Sequence, residues 1–465
     1  MPHSDVLAAQ AWLAAHESEL IESTRDMLRI PSLKGEALPN APFGDENRRA
    51  LDLALKMGAD AGMRVKDLDG FAGYAEWGSG EKLIVILGHL DVVPVGDGWK
   101  HEPFGAEIDG EYLYSRGSTD DKGPTMAAFF ASRALMEVCP NLNARIRTVF
   151  GCDEESGMKC VEHYNEVEEA PTYGIAPDSS WPLVHAEKGI CDFFLTIPIA
   201  DSPFQIVSAK GGYRLNVVID SCEVVVKVSP SIKDHVISKI ADSWDKNLSL
   251  TWKDSDHLVV SGIGKAAHGS RPFSGDSAAT RVFRFLVDCA PIELEDFYEE
   301  LLWMTHPSGV GIGIHTRDEV SFDLTSNLGI VEFEDGSLKF SINVRYPTTM
   351  KGDHIYSLCS SHLANKLKCG AFIVDFHDSP SLYFPIDSPI VSAIVGAYRE
   401  ETGDPTEPGV MGGGTYARKI ANTVSIGTSW EGDGKAHETD ERIKVAHLLR
   451  ASKIYANILH RLCNL

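Results

Sequence analysis

The feature that most constrains this chain is the apolar run "KLIVIL" at 82–87, which leads directly into "GHLDVVPVGDGW" at 88–99. An uninterrupted apolar run of this length, ended by glycine, reads as a strand buried on both faces. His89 and Asp91 then place an imidazole and a carboxylate at the exit of a hydrophobic strand. Such groups carry a desolvation penalty unless something compensates them. Either they form a satisfied local pair, or they hold a metal ion.

The second alternative requires further ligands, and the sequence holds four more acidic or histidine clusters. They are "STDDKGP" with Asp120 and Asp121, "GCDEESG" with Asp153, Glu154 and Glu155, "APDSS" with Asp178, and "AHETDER" with His437 and Glu438. Taken singly, each has an ordinary reading. Asp120 and Asp121 precede Gly-Pro and could cap a helix, and Glu154 and Glu155 could be the acidic first turn of the next helix.

The surrounding pattern gives the clusters a common address. From about 82 to 190 short apolar runs alternate with helical stretches, the signature of βαβ units and a mostly parallel sheet. "KLIVILG", "RIRTVFGC" and "YGIAP" read as strands, and "GPTMAAFFASRALMEVCP" as a helix with Pro124 in its first turn. From about 188 to 380 the pattern changes: "DFFLTIPI", "LNVVIDSCEVVVKV", "HLVVSGIG", "SLKFSINVRYP" and "GAFIVDF" suggest antiparallel strands with interleaved helices. The α/β pattern then returns, with a helix near 388–402, the strand "NTVSIG" and a closing helix near 442–462. The expected fold is a doubly wound, mostly parallel α/β domain of about 1–187 plus 381–465, with an α+β domain inserted at about 188–380. In open α/β sheets the strand ends gather on one rim, where ligands bind. About two imidazoles and several carboxylates would converge there, and that much negative charge does not stay together unpaired; a pair of divalent cations would neutralise it. Mixed His and carboxylate ligation suits zinc, and also manganese or cobalt.

Composition narrows the partners. With 465 residues the chain is long enough for two cores, and its formal charge of -24 disfavours phosphate backbones and anionic lipid, so neither nucleic acid nor a membrane is expected. No apolar run approaches the roughly 18 residues needed to span a bilayer. The start, "MPHSDVLAAQAWLAAHESELIES", lacks a basic region ahead of its apolar positions and reads as an amphipathic helix of a cytoplasmic protein. The nine cysteines form no CxxC pair, so reduced, buried thiols are expected.

As a set, "GHLDVVPVGDGW", "GSTDDKGP", "DEESG", "APDSSWP", "KAAHGSRP", "NVRYP", "GGGTYAR" and "HETDER" resemble the M20 clan of binuclear zinc amidohydrolases and peptidases, most closely its long dipeptidase branch of the PepV type. The resemblance covers nearly the whole chain, with the motifs in the family's order. It implies a catalytic domain and a lid, with Asp120 bridging two metals, His89 and Asp178 completing one site, and Glu155 and His437 completing the other. It implies Glu154 as general base, a cis peptide between Asp120 and Asp121, His268 and Asn216 as oxyanion donors, and Arg345 as a clamp for the substrate α-carboxylate.

The residue types suit that chemistry. Two metals sharing a water lower its pKa and polarise the scissile carbonyl, and a carboxylate beside them can move the proton. Residues i and i+2 of an extended chain point the same way, so Asp91 is expected to accept the free N–H of His89 and fix its tautomer. The "GGGT" stretch at 412–415, with Gly413 and Gly414, is either a tight turn or a helix start whose backbone N–H groups bind a carboxylate or oxyanion. The expected activity is hydrolysis of unblocked dipeptides. Two alternatives remain open: an N-acyl amino acid deacylase or desuccinylase of the same family, and a non-catalytic metal-binding protein. The long insertion resembles the enlarged PepV lid, which implies a monomer.

Overall fold

The computed structural model describes residues 3–465. The chain forms two compact units. One comprises the segment ending at His185 together with Phe384–Gly409 and Thr415–Leu465, and the other comprises Ala186–Tyr383 with Val410–Gly414.

The first unit is built on a mixed sheet. Its centre is four parallel strands in the spatial order Arg145–Gly151, Leu83–His89, Tyr173–Ser179, Thr423–Gly427. Antiparallel strands flank them: Ala72–Gly78 and Arg64–Leu68 on one side, and Leu183–Glu187 on the other. Every residue of Leu83–His89 is buried, which is why that segment reads as an unbroken apolar run rather than an alternating one. The helix Lys122–Val138 is buried nearly all round, and it packs with Ser4–Ala15, Glu17–Leu28 and Val445–Cys463. All nine cysteines are free and buried. Among the described residues no helix is long and apolar enough to cross a membrane.

The second unit is an eight-stranded antiparallel sheet. Its order is Leu248–Trp252, His257–Ile263, Ser221–Val228, Phe204–Gly211, Thr325–Glu334, Ser337–Tyr346, Gly189–Pro198, Phe372–Ser379. The helix Ala278–Cys289 covers part of it, sending Val282, Phe283 and Leu286 into a core with Val224, Val260 and Phe340. This is the α+β architecture expected for the insertion.

Three local expectations are corrected. The N-terminal stretch forms two helices, Ser4–Ala15 and Glu17–Leu28, because His16 ends the first by bonding back to the Trp12 carbonyl at 2.8 Å and stacking on the Trp12 ring. The opening residues Met1 and Pro2 of that predicted helix lie outside the described residues. Of "LNVVIDSCEVVVKV" only Ser221–Val228 is strand; Asn216 lies in a turn closed by Val217 N–H on the Arg214 carbonyl. Glu154 and Glu155 are not a helix start, since the next helix begins at Lys159 after Met158 in a left-handed conformation.

Candidate active site

The parallel strands set the position of the site. From Leu83–His89 the chain passes to Arg145–Gly151 on one side, then returns to Tyr173–Ser179 on the other. The order reverses at Leu83–His89, so its carboxyl end opens into a crevice. His89 is the last residue of that strand, Asp178 the penultimate residue of Tyr173–Ser179, and Glu154 and Glu155 follow Arg145–Gly151. Asp120 immediately precedes the Lys122–Val138 helix cap, and the Asp120–Asp121 peptide is cis. His437 comes from the loop after Thr423–Gly427 and holds φ at 64°, uncommon for a residue with a Cβ and characteristic of constrained functional positions.

These side chains meet through Asp120. Its Oδ1 lies 3.1 Å from Nε2 of His89 and its Oδ2 lies 3.1 Å from Nε2 of His437, which is also 3.2 Å from Oε1 of Glu155. Ligand atoms of His89, Glu154 and Asp178 fall within 4.8 Å of one another, as do those of His89, Asp120 and Glu155. Two donors bound tetrahedrally at about 2.0–2.1 Å are about 3.3 Å apart. The observed separations fit, and a carboxylate presenting each oxygen to a different imidazole has the form of a bridge between two ions.

Burial and mutual hydrogen bonds set the electrostatics of these donors. Burial pushes Asp178 and Asp121 well above the carboxylate range, with Asp120 adding repulsion. Burial also raises Glu154 to about 7, with Glu155 and Asp120 contributing and His89 opposing. Burial works against charge on Asp120 and on His89. Their mutual hydrogen bond, together with His437 on Asp120 and Asp91 on His89, overrides it, holding the carboxyl well below its usual range and the imidazole well above. Hydrogen bonds to Asp120 and Glu155 lift His437 to about 10. The raised proton affinities follow from carboxylates and imidazoles clustered in a buried site, and the donor set fits divalent ions, whose uptake would displace those protons.

Around this centre the structure adds a supporting layer. The Asp91 carboxylate lies beside His89 and also holds a second element. Nδ1 of His89 faces the Asp91 backbone carbonyl at 3.0 Å, whereas the carboxylate accepts the backbone N–H groups of Glu154 and Glu155, both at 3.0 Å. The strand ends at His89, so the i, i+2 alternation no longer applies. Asp91 Oδ1 still lies 3.6 Å from Nδ1. Glu441 accepts from Gly117, Thr119 and Asp120 backbone N–H groups and pairs with buried Arg116 at 2.8 Å, fixing the loop that carries Asp120. Asp433 accepts from the N–H of Trp430 and of Lys444 and faces Nδ1 of His447, which pins the loop leading to His437. A cavity of about 380 Å³ is lined by Asp120, Asp178, Thr428, Ser429, Trp430 and Asp433 among others.

In the second unit another group assembles. Val217 bridges to His268, and Gly269 N–H donates to the Asn216 carbonyl at 2.7 Å, bringing Asn216 and His268 together. Burial and the charges of Arg345 and Arg271 lower the His268 pKa, which keeps its imidazole neutral. Arg345 is buried; its Nε donates to Oδ1 of Asn343 and its Nη1 reaches the Gly412 carbonyl at 3.4 Å. Gly413 and Gly414 do not open a full helix: a four-residue 3-10 turn, Tyr416–Lys419, follows them, too short for an appreciable dipole. The sequence reading missed Glu441, Arg116, Asp433 and Asn343. Only Asn343 carried a signal, two residues before Arg345 and hence on the same strand face.

Comparison with known proteins adds independent findings. A sequence-family model described as "Peptidase family M20/M25/M40" matches residues 85–461. The Bacillus subtilis (strain 168) protein named "Putative dipeptidase YtjP" is 35% identical over 463 residues, covering 96% of this chain and 97% of the relative. A Staphylococcus epidermidis (strain ATCC 12228 / FDA PCI 1200) protein named "Putative dipeptidase" is 33% identical over 466 residues, covering 96% and 98%. Among solved structures, human carnosine dipeptidase 1 superposes with a TM-score of 0.56 at 18% identity over 100% of both chains, a likeness of fold.

Proposed function

The chain belongs to peptidase family M20/M25/M40 and is a hydrolase, and from that premise we propose that it is a metal-dependent dipeptidase acting on unblocked dipeptides. The observation that carries this reading is the Asp120 carboxylate, with one oxygen 3.1 Å from His89 and the other 3.1 Å from His437. His89 and Asp178 would hold one divalent ion, Glu155 and His437 the other, with Asp120 shared. Zinc suits the donors, and manganese or cobalt can replace it. When bound, the ions supply Lewis acidity toward the scissile carbonyl and a water of lowered pKa.

The remaining steps belong to the chain's own groups. Glu154 is the general base: its carboxylate, buried beside the ligand set, takes a proton from the attacking water and returns it to the leaving amine. The bonds from Asp91 to the N–H groups of Glu154 and Glu155 hold base and ligand in fixed relation. In this reading neutral His268 and the Asn216 amide donate to the developing oxyanion, and Arg345 receives the substrate α-carboxylate as a two-pronged donor. Backbone N–H groups of Gly413 and Gly414 line the substrate beside it.

The test is a matched panel of dipeptides, tripeptides, and N-acetyl and N-succinyl amino acids, assayed with the metal-loaded protein. The proposal expects hydrolysis of dipeptides with free termini to dominate. Preference for the acylated amino acids would assign the same centre to deacylation, and inactivity across the panel with metal bound would favour a non-catalytic role.

A further inference from the structure

Asn343 lies two residues before Arg345 on the strand Ser337–Tyr346, and across the neighbouring strand it is paired in register with Asp192. Its Nδ2 donates to Oδ1 of Asp192 at 2.6 Å, and its Oδ1 accepts from Nε of Arg345 at 3.1 Å. Asn343 is 2% exposed and Arg345 5%. A carboxylate oxygen accepts and a guanidinium donates, so only one orientation of the amide satisfies both neighbours. The same amide abuts the loop of His268, since a Cβ on Gly269 would lie 2.9 Å from Asn343 Oδ1.

We propose that Asp192 and Asn343 form a hydrogen-bond relay that sets the plane of the Arg345 guanidinium for an anionic substrate group, making Asn343 a positioning residue. The inference rests on the reading of Arg345 as the carboxylate clamp. An apolar residue in place of the amide would release the arm to several rotamers. The amide holds the guanidinium through Nε, and Asp192 in turn fixes the amide.

The experiment compares KM and kcat for one dipeptide and its C-terminal amide in the metal-loaded full-length enzyme. The variants are Arg345→Ala, Asn343→Ala, Asn343→Ser, Asp192→Asn and the double variant Arg345→Ala with Asn343→Ala. Asn343→Ser sets no second carboxylate against Asp192 and serves where Asn343→Ala fails to fold. The relay predicts that both Asn343 variants raise KM for the dipeptide on the order of ten-fold or more, with a smaller change in kcat. It predicts a smaller effect on the amide, and no added loss of discrimination in the double variant beyond Arg345→Ala. Asp192→Asn retains an acceptor oxygen and should keep KM close to that of the wild type. If Arg345→Ala narrows the gap between dipeptide and amide while the Asn343 variants leave it intact, or lower kcat equally on both, the relay is overturned and the clamp stands. If Arg345→Ala itself leaves the gap unchanged, the clamp fails and the relay fails with it.

Discussion

The Glu441 carboxylate accepts the backbone N–H of Asp120 at 3.2 Å while forming a buried ion pair with Arg116 at 2.8 Å. The shared ligand of the proposed metal pair is therefore held from behind by a charge that the chain supplies about 320 residues later. Glu441→Gln keeps the volume and removes the charge, leaving Arg116 buried without its ion-pair partner. Loss of one partner of such a pair destabilises by about 3–5 kcal/mol, and slackening a ligand's support lowers metal affinity about 10–100-fold. Denaturant unfolding with chelator competition measures both, and an unchanged metal affinity would remove Glu441 from this role.

Glu154→Gln should retain metal and lose about 10²–10⁴-fold in kcat, since the amide keeps the shape but accepts no proton. Glu155→Gln and His437→Ala should instead lower metal occupancy. The opposite assignment of losses would exchange the roles of Glu154 and Glu155. The pH profile has a defined sign. A base must be deprotonated, so kcat/KM falls as pH drops through its pKa, and bound cations place that limb at or below the value of about 7 held without them.

Metal uptake should release protons and gain strength with pH. Without cations, His437 titrates near 10 and Glu154 near 7. A raised histidine contributes stability present below about 6.5 and lost as pH rises through 10. A carboxyl raised by burial penalises the fold increasingly between about 4.5 and 7 as it ionises. The metal-free protein should lose stability from pH 5 to 9 on both counts, and the rise in Tm on adding metal should grow across the same interval. Calorimetry in buffers of different ionisation enthalpy counts the protons released, and a count of zero at pH 7 would contradict the protonated cluster.

Gly427→Ala should be strongly destabilising although Gly427 lies at a strand end. A Cβ there would come 2.2 Å from the ring of Trp181, which is stacked against Tyr398, Trp430 and Tyr455. The ring cannot yield without disturbing three others, so a loss of at least about 1–3 kcal/mol is expected in thermal or denaturant unfolding.

Much of this architecture was legible because it rests on local signals. The unbroken burial of Leu83–His89 marks a central parallel strand, and the alternating burial of Gly189–Pro198 marks an antiparallel one. His89, Asp120, Glu155 and His437 stood out because charge beside an apolar strand end demands compensation. Glu441 and Arg116 did not, because they lie far apart in the chain and only tertiary folding buries them as a pair. The second task of Asp91, holding the Glu154 and Glu155 backbone, was not legible, because the chain brings those residues to it from about 60 positions away. Asn216 was read in a strand that its turn precludes.

The most direct measurement of the central claim is activity against an unblocked dipeptide as divalent metal is returned to chelated protein, with bound metal quantified at each point. The account predicts an inactive stripped protein, activity completed near two ions per chain, and loss of both ions in Asp120→Ala, since that residue is the ligand proposed to be shared. Full dipeptidase activity with less than one ion per chain, or two ions retained in active Asp120→Ala, would contradict it.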